Sequence, residues 1–161
     1  MVGYLTIIKL PMMEKHEIDQ LIHEQMLCRI AFKGADYPYM APFQYVFMSG
    51  SLYFHFTDYG RKMKLIERDN RVCVEIEKFR QDMSEYNFVV LKGKVKIVTD
   101  PLERAKVIKR MAEEGKQKVS PNFLAAHGFK KEEGWSSFSP EKPLLILKLE
   151  EITEEIGLKS P

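Results

Sequence analysis

The run YMAPFQYVFMSGSLYFHFT, residues 39 to 57, limits the fold more than any other part of the chain. Two β-type segments, 39–48 and 51–57, are separated only by Ser49 and Gly50. That gap leaves no room for a crossover helix, so the two segments must form an antiparallel hairpin. Within SLYFHFT, alternation places Leu52, Phe54 and Phe56 on one face and Tyr53, His55 and Thr57 on the other. The first face is predicted to pack and the second to be available to a ligand.

The remaining elements follow from the same periodicities. CRIAF, residues 28 to 32, reads as a strand joined to the hairpin through the turn from Gly34 to Pro38. RVCVEIE, 71 to 77, alternates Val72, Val74 and Ile76 against charged or polar neighbours, and FVVLKGKVKIV, 88 to 98, opposes Val89, Leu91, Val95 and Ile97 to Lys92, Lys94 and Lys96. PLLILKLEEI, from 143, closes the chain as a strand. Helical spacing of Ile18, Leu21, Ile22 and Met26 predicts a helix from Glu14 to Met26. Asp100-Pro101 followed by Glu103 marks a second helix start; that helix is predicted to run to Gly115 and to bury Leu102, Ala105, Ile108 and Ala112. Ser120-Pro121 opens a short helix ending near Gly128, and 129 to 142 is the longest predicted loop. About six strands with short connections and peripheral helices favour a mainly β architecture, an antiparallel barrel or strongly curved sheet, in one domain spanning 1–161.

Composition narrows the function classes. The 161 residues, 45% hydrophobic with a formal charge of +2, are enough for a sizeable core and give no blanket attraction to nucleic acid or membranes. Two cysteines, Cys28 and Cys73, make no disulfide framework and point to a reducing, cytoplasmic setting. MVGYLTIIKLPMM is interrupted by Lys9 and Pro11 and reads as neither signal nor anchor.

The segment YFHFTDYGRKMKLIERDN, 53 to 70, carries the chemistry. A helix beginning after Gly60 opens with Arg61, Lys62 and Lys64 and closes with Glu67 and Asp69, the reverse of what the helix dipole favours. Each misplaced exposed cation costs roughly 0.3–1 kcal/mol, a penalty that changes sign if an anion lies between the cations and the helix amides. Arg61 offers a planar fork for bidentate phosphate contact and Lys62 a point charge. A solvated helix with its charges facing water is the alternative account of the same residues.

The ordered set formed by APFQY, YFH in the next strand, then GRK and the RVC strand resembles the flavin-binding split barrels related to pyridoxamine 5′-phosphate oxidase, especially the branch of nitroimidazole-resistance proteins. The likeness spans Met13 to Val98 and is strongest from Pro38 to Glu77. It implies a six-stranded antiparallel split β-barrel, a homodimer, and FMN at the dimer interface. Carried over by position, Arg61 and Lys62 would hold the FMN phosphate, Thr57 and His55 would lie near the phosphate or ribityl chain, and the backbone at Ala41, Pro42, Phe43 and Gln44 would follow the isoalloxazine edge. The oxidase pattern also has an arginine and a histidine near its C-terminus, whereas here no arginine follows Arg110 and no histidine follows His127. The resemblance therefore carries the cofactor and argues against pyridoxamine phosphate as substrate.

The other candidate residues favour plainer roles. His16 and His23 read as solvated, and no histidine spacing suggests a metal. Trp135 reads as an anchor more readily than as a partner's flavin cover, and Cys73 as inert packing. Lys92, Lys94 and Lys96 form a solvated ladder rather than a nucleic-acid track. The expected activity is that of an FMN-dependent oxidoreductase, with no catalytic side chain, passing reducing equivalents from a small-molecule donor to a small-molecule acceptor. A barrel that stores or senses a flavin or tetrapyrrole without turnover is the alternative.

Overall fold

A computed structural model describes residues 6–161; the first five residues of the MVGYLTIIKLPMM run lie outside the described residues. Six strands, β1 (Leu27–Phe32), β2 (Tyr39–Met48), β3 (Ser51–Phe56), β4 (Arg71–Phe79), β5 (Tyr86–Ile97) and β6 (Leu145–Lys159), close into an antiparallel barrel in the order β1-β2-β3-β6-β5-β4. Three helices, α1 (Lys15–Glu24), α2 (Arg61–Arg68) and α3 (Pro101–Lys118), lie on its periphery.

Strand alternation decides the inside of the barrel. Ile30 and Phe32 of β1, Phe43 and Tyr45 of β2, Leu52, Phe54 and Phe56 of β3, Val72, Val74 and Ile76 of β4, and Val89, Leu91 and Val95 of β5 form one buried cluster, with Ile18, Leu21 and Ile22 of α1 packed against it. Burial of this apolar area is the main driving force for closure, at roughly 25 cal/mol per Å². The Tyr45 hydroxyl, buried with its ring, donates to the Ile22 carbonyl at 2.6 Å and ties α1 to β2.

A second buried cluster lies outside the barrel wall. Val46 and Tyr53 face Val107, Ile108, Met111 and Ala112 of α3 together with Leu124, Trp135, Phe138 and Ile146. Asp100 caps α3 by accepting from the Glu103 amide at 2.7 Å, with proline at the first turn. The face that α3 buries is rotated from the predicted one: Ile108 and Ala112 pack together with Val107 and Met111, but Leu102 is 73% exposed, and in the first turn it is Glu103 that meets the barrel, accepting from Tyr53 and Lys148. Residues 129–142 contain two short 3-10 turns, Lys131–Glu133 and Trp135–Ser137. The Trp135 indole N–H donates to the Val119 carbonyl at 3.1 Å, so this residue anchors the segment to α3. β6 runs well beyond its predicted end, pairing with β5 as far as Asn87↔Lys159 with a register shift between Lys92 and Lys94.

Candidate functional site

The chain leaves β3 at Phe56, turns through Thr57 to Tyr59, and enters α2 at Gly60. Gly60 has φ +99°, a conformation that glycine alone adopts without strain, and no side chain caps the helix. A Cβ placed there would meet nothing within 4 Å, and the first-turn amides have no side-chain cap. No acid occupies that turn.

Arg61 and Lys62 form no ion pair among the described residues, whereas cations on the strands are matched: Arg29 with Glu75 and Glu77, Lys92 with Glu154, Lys96 with Glu150 and Glu151. The Arg61 guanidinium lies 5.7 Å from the Tyr39 ring centroid. The Lys62 ammonium donates to Thr57 Oγ1 at 3.0 Å and sits 5.8 and 5.9 Å from the Phe43 and Phe56 rings, which stack on each other at 4.7 Å. Burial lowers the Lys62 pKa, and no carboxylate opposes that shift. An uncapped helix start with two cations that no acid matches leaves positive charge uncompensated at this corner. At the other end of α2 the expected charge reversal is offset: Asp69 pairs with Arg71 at 2.7 Å and Lys33 at 3.4 Å.

A split in the barrel wall adjoins this corner. β2 pairs with β1 from Tyr39 to Gln44 but with β3 only from Tyr45 to Met48, so the Ala41–Phe43 stretch has no ladder partner on its α2 side. Pro42, exposed and lacking an N–H, occupies this edge at no hydrogen-bonding cost. Ala41 is half-buried, and the Phe43 side chain points into the barrel. The structure thus brings Arg61, Lys62 and Thr57 together at one corner.

The reading of the His55 face as available to a ligand requires a correction. The face of β3 bearing Tyr53 and His55 is not open; the 3-10 turn Pro121–His127 and Phe138 cover it, leaving His55 7% and His127 6% exposed. The Nδ1 atoms of His55 and His127 are 3.1 Å apart, and His127 Nε2 lies 2.8 Å from Gln44 Oε1. A carboxamide oxygen only accepts, so His127 carries its proton on Nε2 and His55 donates Nδ1–H to His127. Burial lowers the two pKa values to about 4 for His55 and about 3 for His127, keeping both rings neutral. His55 is therefore committed to a buried network, as is the Gln44 side chain. His127, which sequence spacing left without a partner, is its centre; the only sequence signal was the aromatic density of NFLAAHGF. Tyr53 likewise donates to Glu103 at 2.6 Å.

Among the described residues no group of three or more His, Cys, Asp or Glu is arranged to hold a metal, and no helix is long and apolar enough to cross a membrane. The lysine ladder of β5 is matched by Glu150, Glu151 and Glu154 of β6, so it offers no free cationic track.

A family model described as pyridoxamine 5′-phosphate oxidase matches residues 14–131. No protein with a curated description matches. Among solved structures, a FAD-binding protein from Mesorhizobium loti superposes with a TM-score of 0.69 at 17% identity, covering 96% of this chain and 100% of that one. The FAD binding protein from Mycobacterium smegmatis gives 0.61 at 13% identity, covering 92% and 97%. A candidate 5-nitroimidazole antibiotic resistance protein from Bacteroides thetaiotaomicron gives 0.61 at 17% identity, covering 98% and 95%. At these identities the three structures share the fold.

Proposed function

Because the chain belongs to the pyridoxamine 5′-phosphate oxidase family, we propose that it is a flavoprotein, holding FMN by its terminal phosphate at the start of α2 and passing reducing equivalents to a small-molecule acceptor. The observation that carries this reading is the pair Arg61 and Lys62, unmatched by any acid, beside the uncapped amides that follow Gly60. A phosphate monoester fits that donor set: two cations beside a helix start whose first amides no side chain caps. FAD-binding relatives of the same fold support a flavin in general. The terminal phosphate that this corner suits favours FMN.

In this role Arg61 would clamp the phosphate bidentately. Lys62, now held by Thr57, would contribute a desolvated charge, stronger than a hydrated one. The free edge at Ala41, Pro42 and Phe43, with the backbone of Gln44, would carry the flat ring. His55 enters only through the strand that it anchors. The flavin supplies the redox chemistry when bound, and the protein supplies position and shielding. No side chain is needed as acid or base. Exposed Leu27 and Met40, on the outer face beside Pro42, support a homodimer with the flavin between subunits. Sedimentation equilibrium showing only monomer would rule that assembly out.

The test is an absorbance spectrum of freshly purified protein, followed by mass identification of what denaturation releases. FMN is the expected result. Bleaching by reduced nicotinamide and reoxidation by a quinone, a nitro compound or oxygen would establish the enzyme. Bound flavin that neither bleaches nor turns over would assign a storage or sensing role, and colourless protein that takes up no flavin would overturn the proposal.

A further inference from the structure

Arg61 is held without an acceptor. Among the described residues its guanidinium makes no hydrogen bond and no ion pair; what lies against it is the ring of Tyr39, with the guanidinium carbon 5.7 Å from the ring centroid. That separation is within the range at which a cation is drawn to an aromatic face. Other arginines of the chain are fixed by acceptors. Arg71 gives two N–H groups to Asp69, and Arg104 gives three to the carbonyls of Leu144, Pro140 and Lys142. An acceptor occupies the donors that it fixes. An aromatic face attracts the charge through its quadrupole, so Tyr39 steadies Arg61 and leaves the N–H donors of the fork free.

Tyr39 is itself anchored. It opens β2, pairs with Phe32 of β1, and sets its ring 5.8 Å from the Phe32 ring, half-buried against the main core cluster. The same strand continues into Ala41, Pro42 and Phe43, the free edge proposed above for the flat ring of the flavin. One strand therefore carries that edge and also steadies the cation at the phosphate end. A loose arginine loses rotamer freedom when it grips a ligand, and a support that removes the freedom beforehand strengthens binding.

We propose that Tyr39 is a positioning residue for Arg61, holding the guanidinium at its ring face so that the fork is presented, unoccupied, to a phosphate monoester at the start of α2. The inference rests on the phosphate reading of that corner. It adds a residue that acts through Arg61 rather than on the ligand. It also separates the two cations: Arg61 relies on Tyr39, whereas Lys62 is held by Thr57 and lies near Phe43 and Phe56.

The test is titration of the flavin-free full-length protein with FMN and with riboflavin, comparing wild type with Tyr39→Leu, Tyr39→Phe, and Tyr39→Leu combined with Arg61→Ala. Tyr39→Leu is expected to weaken FMN binding about fivefold and to leave riboflavin unchanged, while Tyr39→Phe, which keeps the ring, retains wild-type affinity for both. Once Arg61→Ala is in place, Tyr39→Leu is expected to cost FMN nothing further. A pentafluorophenyl ring placed at position 39 nearly keeps the volume and reverses the quadrupole. It is expected to reproduce the Tyr39→Leu loss, and it decides the matter if Tyr39→Leu does not fold. Equal wild-type affinities for FMN and riboflavin would overturn the phosphate reading and this inference together. A wild-type preference for FMN that persists undiminished in Tyr39→Leu or with the fluorinated ring would overturn this inference alone. So would a loss shared equally by riboflavin, a loss in Tyr39→Phe as large as in Tyr39→Leu, or a full loss still seen in the Arg61→Ala background.

Discussion

Lys62 and His55 stand a few residues apart in sequence and show opposite ways of handling a polar group. Lys62 keeps its charge beside two aromatic faces with only a hydroxyl as partner, whereas His55 gives up charge altogether and joins His127 in a neutral buried pair. The first arrangement was legible in the sequence because Gly60, Arg61 and Lys62 are contiguous and their clash with the helix dipole is a local property. The second was not, since His55 and His127 are 72 residues apart and only the docking of the 3-10 turn brings them together. The pair also sets a pH dependence. Unfolded histidine titrates near 6.5, while the folded values lie at about 4 and about 3. Between those limits the unfolded chain binds more protons, so stability falls as pH drops below about 6.5, by up to about 1.4 kcal/mol per pH unit for each histidine. Above pH 7 the pair contributes no slope. Urea unfolding at pH 7 and pH 5 is expected to show lower stability at pH 5, with a smaller difference in His55→Gln; identical values at both pH conditions would contradict a neutral buried pair.

At the scale of elements, the hairpin β2–β3 and the capped start of α3 follow from short-range rules, and the structure has them where those rules place them. The face of α3 and the length of β6 do not follow. Leu102 satisfies the helical spacing but is left exposed, because its neighbour Glu103 is the residue of that turn that turns to the barrel, where it accepts from Tyr53 and Lys148. The EEITEEIGLK tail looks too polar for a strand, yet its glutamates answer the lysines of β5 across the ladder, a pairing visible only once the register is known. Such exposed pairs are worth roughly 0–1 kcal/mol each, so backbone pairing sets the strand and the charges adjust its register. Gly115 shows a closer constraint. A Cβ there would overlap the Trp135 indole, which is held by the Val119 carbonyl. Gly115→Ala, ordinarily favourable in a helix, is expected to destabilise the protein by about 1–3 kcal/mol. Chemical denaturation checks this, and an unchanged midpoint would show that the Trp135 turn moves freely against α3.

On the scale of the whole molecule, closure of the barrel depends on β1 meeting β4, Arg29 opposite Glu75 and Phe32 opposite Val72, across about forty residues of intervening chain. No local pattern dictates that meeting. The alternation on six strands permitted a closed barrel or a curved sheet, and the resemblance of APFQY, YFH and GRK to a known family selected the barrel. The corner where β2 leaves β3 is a product of the same closure: it sets a free strand edge beside an uncapped helix and brings Arg61 and Lys62 to it, pieces that mean little apart. The claim at the centre of the proposed function is that this corner grips a terminal phosphate. Titration of the flavin-free protein with FMN and with riboflavin, which lacks only the phosphate, tests it most directly. The expected result is FMN binding at least tenfold tighter than riboflavin, with Arg61→Ala losing about tenfold or more for FMN and little for riboflavin, as removal of a charge-assisted contact requires. Equal affinity for the two flavins, or an Arg61→Ala protein that is folded and binds FMN unchanged, would contradict it.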